Sequence, residues 1–446
     1  MFSCSKESGP NQVTFTTNSD QWNDLIVNHI PSGVFLQLKD DAVKVDVENE
    51  ETLFEILADR SLHYVLARPG DSFSIDSVKG GGIVVRQSGD QSSENKFLEE
   101  YEEIISDLQS NQSPFTFADK DESAFKAAVD EKFQVLSDKA ASLNKNEDIS
   151  TSFKGLIKKR MMSEKAIDLL MYEQAYEYMT KEKPEVSEEY YSFLDDLDVQ
   201  DSDMILFEST RNFADRLRSK DVNFNDHESV DDYFDALSAN GAKLFGESSL
   251  IATYSRLTDL EAKVNFGSGI DGAGDAIEAF QSSVNNPYFN SRLEKTIGPW
   301  KELMRGKEAP DFDGLTRDGK KVHLDDLKGK KVYVDVWATW CGPCIREIPS
   351  LKELEEELHG EAVEFVSVSI DQESDREKWR KFVEDRNLGG TQIMTEGAWE
   401  SDLTKNYNIK GIPRFILIDE QSRIISANAP RPSEERTKDY IMEEAI

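Results

Sequence analysis

The 446-residue chain carries a formal net charge of −35, with 38% hydrophobic and 10% aromatic residues. It is long enough for several cores and too rich in large apolar side chains for disorder. Residues 301–446 hold 23 basic and 31 acidic groups and the first 300 hold 29 and 56, giving net charges of −8 and −27. A surface this acidic repels phosphate backbones and argues against nucleic acid as a partner. The chain has no apolar run of the roughly 18 residues that a membrane-spanning helix needs.

The chain opens "MFSCSKES", and "FSC" resembles the end of a bacterial lipobox, in which the cysteine receives lipid. Residues 1–9 are therefore expected to be a lipoprotein-like tether. It would be anchored through Cys4 in the envelope or periplasm of a Gram-negative bacterium, with the membrane reached only through that lipid. Residues 10–92 contain short alternating or β-branched runs, among them "QVTFTT", "GVFLQL", "AVKVDV", "HYVLA" and "GIVVRQS". The breaks "PSG", "RPGD" and "KGGG" are turn chemistry, which predicts a small antiparallel β-sandwich-like domain. His29 and His63 within it are expected to be surface or packing residues.

From Asn95 the period changes. Phe97, Leu98, Tyr101, Ile104, Ile105 and Leu108 fall on one helical face, and Phe125, Val129, Leu136, Ala140 and Leu143 repeat the pattern. An all-α region is expected over 93–303, with helical stretches at 151–180, 186–219, 228–245, 247–262 and 273–303. The aromatic sets "MYEQAYEYM" and "EEYYSFL" are expected in its core. The run "NFGSGIDGAGDAIEAF" lacks the lysine and preceding strand of a phosphate loop, and reads as a flexible helix–helix link.

After residue 304 the order becomes strand, helix, strand, helix, strand, strand, predicting a central sheet covered on both faces. The strand "KKVYVDVWA" runs into "CGPCIREIPSLKELEEELHG", a helix that begins at two of the three cysteines. One C-x-x-C pair cannot make a four-ligand zinc site, and His323 and His359 are isolated, so no metal is expected. A redox pair suits the position. At a helix N-terminus the unpaired N–H groups and the dipole favour a thiolate on Cys341, the species that attacks disulfides. Cys344, one turn later, can resolve the mixed disulfide. Pro343 sits in the first turn, where its missing N–H costs nothing, and Pro349 is expected to kink the helix.

"EAPDF", "RDGKKVHLDDLKGKKVYVDVWATWCGPCIREIP", "VSVSIDQESDREKW" and "LTKNYNIKGIPRFILIDEQSRII" resemble the TlpA/ResA-like thiol–disulfide oxidoreductases of bacterial envelopes. The resemblance implies an α/β thioredoxin fold over 304–446, a cis-proline at Pro413 facing the pair, and a buried acid beneath it at Asp335. It further implies that Gly411, Ile412 and Trp340 border the partner peptide, with Trp340 beside the reacting sulfur. No cofactor is implied beyond the dithiol. The implied partners are disulfide-containing envelope proteins and an upstream thiol donor. "YVLARPGDSFSID" with "NKFLEEYEEI" is similar, more weakly, to accessory regions fused ahead of such domains.

Gly342-Pro343 stands where some envelope members carry an acid, and the pair lacks the histidine of strongly oxidising sites. Both lean toward a reductant. No T-x-x-C arrangement surrounds Cys341, which argues against a peroxiredoxin. Two other readings stand beside the reductase. One is a ligand- or partner-binding envelope lipoprotein whose redox domain is secondary. The other is a disulfide isomerase, for which the helical region would supply a homo-oligomer.

Overall fold

A computed structural model of the chain describes residues 11–17, 25–38, 42–58, 61–77 and 83–443; Cys4 lies outside them. The chain divides into two compact units. The first holds the described residues up to Asn223 with Leu237–Arg256 and Val284–Ser291, and the second holds Phe224–Ala236, Leu257–Ser283 and the described residues from Arg292. The helices of 93–303 are thus shared between the units.

The first unit begins with eight strands: β1 (Gln12–Thr17), β2 (Ile26–His29), β3 (Val34–Gln37), β4 (Ala42–Asp46), β5 (Thr52–Ala58), β6 (Ser61–Ala67), β7 (Ser72–Ser77) and β8 (Ile83–Gln87). They form two four-stranded sheets, β4-β1-β7-β8 and β3-β2-β5-β6. Pairing is antiparallel except between β1 and β7. These two strands are far apart in sequence, so no hairpin dictates their direction. Side chains two apart face the same way, and Val13, Phe15, Phe54, Ile56, Phe73 and Ile75 meet in one core between the sheets. Phe15 lies 5.1 Å from Phe54 and 5.5 Å from Phe73 between ring centroids. His29 is a packing residue as expected, its ring 5.8 Å from that of Phe54, and burial lowers its pKa to about 4.

Leu53, Tyr64 and Leu66 point away from that core and join Phe97, Leu98, Tyr101, Phe125, Val129 and Phe153 of the helices. This is why β5 is buried on both faces. The helix Ser93–Asn111 starts where the Ser92 hydroxyl accepts the Asn95 N–H at 3.2 Å. The Asn95 amide then pairs with the free edge of β6, accepting from Leu66 N at 2.7 Å and donating to Leu66 O at 3.0 Å. Tyr172 and Tyr190 of the two aromatic sets are in the core, as expected. Buried charge here is paired: Lys132 with Asp168 at 2.7 Å, Arg211 with Glu55 at 2.8 Å, and Arg160 with Glu164 at 2.9 Å.

Two expectations for the helical region need correction. The stretch 186–219 is not a continuous helix but two 3-10 turns, Glu188–Leu194 and Ser202–Ile205, before the α-helix Glu208–Ser219. Ser187 and Asp201 accept from the N–H groups of Tyr190 and Asp203 and start each turn afresh. The glycine-rich run is largely helical, in the turn Gly269–Gly272 and the helix Gly274–Ser283. Of its glycines only Gly269 takes a left-handed φ, +75°.

The second unit is built on a seven-stranded sheet: β9 (Asp313–Thr316), β10 (Lys321–His323), β11 (Lys331–Trp337), β12 (Val363–Ser369), β13 (Thr391–Met394), β14 (Arg414–Ile418) and β15 (Ile424–Ser426). The order is β10-β9-β13-β12-β11-β14-β15. The central strands β11, β12 and β13 are parallel and β14 is antiparallel to β11, a thioredoxin-like sheet. Parallel neighbours need crossovers, supplied by the helices Gly342–Glu357 and Arg376–Asp385. Tyr333 of β11 packs with Leu351 and Leu354 of the first of these and with Ile441 of the last helix. No helix among the described residues is long and apolar enough to cross a membrane.

Candidate active site

Every residue of β11 is buried, so the strand is a fixed support for the turn that follows it. Asp371, two residues past the end of β12, is fully buried and holds that turn. Its carboxylate accepts from Thr339 N at 2.9 Å, Thr339 Oγ1 at 2.7 Å and Ser369 Oγ at 2.7 Å. Cys341 is the N-cap of the helix Gly342–Glu357, and its Sγ accepts the N–H of Cys344 at 3.2 Å. A helix-terminal N–H aimed at the sulfur favours its anionic form. The two cysteines form a disulfide, with Cα atoms 5.3 Å apart. Pro343 lies in the first turn, and the helix continues through Pro349 to Glu357.

The Ile412–Pro413 peptide bond is cis, and the Ile412 carbonyl oxygen lies 3.8 Å from Cys341 Sγ. The structure therefore brings Cys341, Cys344, Ile412 and Pro413 together. Gly411 lets this loop sit close to its neighbour, since a Cβ there would stand 3.3 Å from the Phe266 ring. Beside the loop is a cavity of about 990 Å³ whose lining includes Phe266, Ser268, residues 411–414, Arg431, Arg436, Asp231 and Asp232. Arg414 is 2% exposed. It donates to the carbonyls of Ala427 and Asn265 and lies over the Trp300 ring, 5.2 Å from its centroid. Burial lowers its pKa to about 10. On the surface, Trp340 is 51% exposed and its ring centroid is 6.5 Å from that of Trp399.

Asp335 is buried in the middle of β11, on the face that the active-site helix covers. Burial raises its pKa to about 8, the negative charges of Glu347 and Glu355 add to the shift, and a hydrogen bond from Ser367 opposes it. The Glu347 carboxylate accepts from Ser433 N at 3.2 Å and Ser433 Oγ at 3.1 Å. Glu347 and Asp371 escaped the sequence reading. The signal for each was present: an acid one turn after Cys344, and an acid closing the apolar run "VSVSID". Among the described residues no cluster of three or more His, Cys, Asp or Glu is arranged to hold a metal.

Residues 304–445 match the Redoxin family model. A thiol-disulfide oxidoreductase ResA from Bacillus thuringiensis is 31% identical over 136 residues, 30% of this chain and 76% of the relative. The chain belongs to the thiol–disulfide oxidoreductases. A thioredoxin-like protein YneN from Bacillus subtilis is 32% identical over 137 residues, 30% of this chain and 75% of its own. A solved thiol:disulfide interchange protein from Bacteroides sp. is 30% identical, over 28% of this chain and 81% of that one, with a TM-score of 0.26. A thiol–disulfide oxidoreductase moves two electrons between a dithiol and a disulfide, and among the described residues the structure holds one disulfide, Cys341–Cys344.

Proposed function

We propose that this oxidoreductase works outside the cytoplasm as a reductant of partner-protein disulfides, with Cys341 as nucleophile and Cys344 as resolving thiol. The observation that carries the reading is the Cys344 N–H aimed at Cys341 Sγ beneath the cis-proline loop. In the first step the Cys341 thiolate bonds to one partner sulfur, and the partner's S–S bond breaks to release the other sulfur as a thiolate. Asp335 then takes the proton of Cys344. The Cys344 sulfur bonds to Cys341 Sγ, and the remaining partner sulfur leaves. The partner gains two electrons and the protein ends as the disulfide, to be re-reduced by an upstream thiol donor. The backbone at Ile412 and Pro413, with Gly411 and Trp340 at its rim, holds the partner segment in an extended form. Gly342-Pro343 between the cysteines supports the reducing direction, since it adds no charged group to stabilise a thiolate.

The decisive experiment is a trap. Cys344→Ser should accumulate a mixed disulfide with its partner while Cys341→Ser accumulates none, and iodoacetamide should label Cys341 first in the reduced protein. Faster labelling of Cys344 reverses the assignment. Turnover of insulin disulfides with dithiothreitol separates a working reductase from a binding protein with an idle redox domain. Lipid on Cys4 belongs to the same reading, and mass spectrometry of the N-terminal peptide from the native host tests it. An unmodified thiol there removes the anchor.

A further inference from the structure

A void of about 10 Å³ lies beneath β11, lined by Asp335, Ser367, Gln392, Glu355, Lys352 and Gly389, with apolar side chains closing the rest. About 10–15 Å³ is the space of a single water. Gln392 is 8% exposed. Its Nε2 donates to Gly389 O at 2.7 Å, while its Oε1 is buried with no hydrogen-bond partner. A buried acceptor of this kind is normally met by protein or by water, and a water here would have Asp335, Ser367 and Glu355 as further partners. The Glu355 carboxyl is seated against two glycines. A Cβ on Gly389 would stand 2.3 Å from Oε2, and one on Gly390 would stand 3.1 Å from Oε1. Only the missing side chains leave room for it. Glu355 is half-buried, so it reaches both the void and the solvent.

We propose that Glu355, through a water held by Asp335, Ser367 and Gln392, carries to solvent the proton that Asp335 takes from Cys344. The proposal rests on the reading of Asp335 as the acceptor of that proton. Before Cys344 can close the disulfide its proton moves to Asp335, from Asp335 to the water, and from the water to the Glu355 carboxylate, which releases it to solvent. The Cys344 thiolate then bonds to Cys341 Sγ and the partner sulfur departs with its electron pair, so draining the proton precedes release. The titratable groups around this path are Glu347, Lys352 and Glu355 from the helix, with the neutral phenol of Tyr333 on β11 itself. Burial also raises the Glu355 pKa, with Lys352 opposing, which brings it nearer to that of Asp335 and eases transfer between them. Glu355 acts through Asp335 and touches neither sulfur.

The test is single-turnover reduction of a fluorescent disulfide peptide by the full reduced chain, in H2O and D2O, across about pH 6 to 9 where the Asp335 carboxyl titrates. Glu355→Gln should slow release from the mixed disulfide by roughly tenfold at the acid end of that range and enlarge the solvent isotope effect. The first attack by Cys341 should be untouched. Gly389→Ala, which drives a Cβ into the carboxyl, should reproduce the effect, and Glu356→Gln, exposed on the same helix, should behave as wild type. Release by Glu355→Gln at the wild-type rate with an unchanged isotope effect, while Asp335→Asn remains slow, overturns the relay alone. If Asp335→Asn is also without effect, the role of Asp335 falls with it.

Discussion

Asp335, the proposed proton acceptor, is also a group through which stability depends on pH. Its folded pKa of about 8 stands above the ordinary 3.8, so the native state holds the proton where the unfolded chain has lost it. This group's contribution to stability is therefore full below about pH 4 and is lost as pH rises through about 8. Asp335→Asn removes the ionisation and should be more stable than wild type at pH 7–8, on the order of 3 kcal/mol. The gap should close toward pH 4. Urea unfolding of both proteins as disulfides, followed against pH, measures it; equal midpoints at pH 8 would mean the carboxyl is solvated. Removing the charge of Glu347, which adds to the shift, should move the Asp335 titration to lower pH. Glu347→Gln should shift the pH midpoint of mixed-disulfide release downward by roughly half a unit or more. An upward shift would contradict the electrostatics.

The turn from β11 to its helix depends on one side chain of a neighbouring element. Asp371→Ala would leave the Thr339 N–H and both hydroxyls without their buried acceptor, at a cost of about 2–4 kcal/mol. It should also loosen Cys341, visible as slower alkylation of the reduced thiol near neutral pH; unchanged stability would mean that water replaces the carboxylate. Local pattern was enough to read β11, the helix after it and the β14–β15 pair, because seven consecutive buried residues and a cysteine cap are signals within one element. The cis-proline loop came from resemblance alone. The void at Gln392 was not legible: Glu355, Ser367 and Gln392 sit on three elements, and only the packing of a helix over two strands brings them together. The same limit explains the broken helix at 186–219, where the apolar spacing looked helical but Ser187 and Asp201 competed for the backbone. The parallel β1–β7 pair, likewise, has no turn between its strands for a sequence to display.

Over the whole molecule, the thioredoxin-like sheet does not stand apart from the helical segment before it. Trp300 is 1% exposed, its Nε1 donates to Asn265 Oδ1 at 3.3 Å, and both belong to the same compact unit as Arg414. A fragment of residues 304–446 would leave the buried Arg414 guanidinium without its ring and without the Asn265 carbonyl. It should retain the dithiol chemistry yet be less stable than the unit in the full chain by roughly 3–5 kcal/mol, the cost typical of losing a buried tryptophan. Calorimetry of the two, both oxidised, decides this, and equal melting of the fragment and the unit would refute it. Cys341 itself has a final consequence for when a partner can be served. Only 4% of the residue meets solvent, between a tryptophan and a loop, so in its proposed role as nucleophile it would reach a disulfide that protrudes on an extended segment. A bridge recessed in a finished fold would be out of range. The enzyme would then act on chains still folding, correcting a bridge during the interval before it is enclosed. One partner offered in denatured and native forms should be reduced at very different rates, and similar rates would open the second population to it as well.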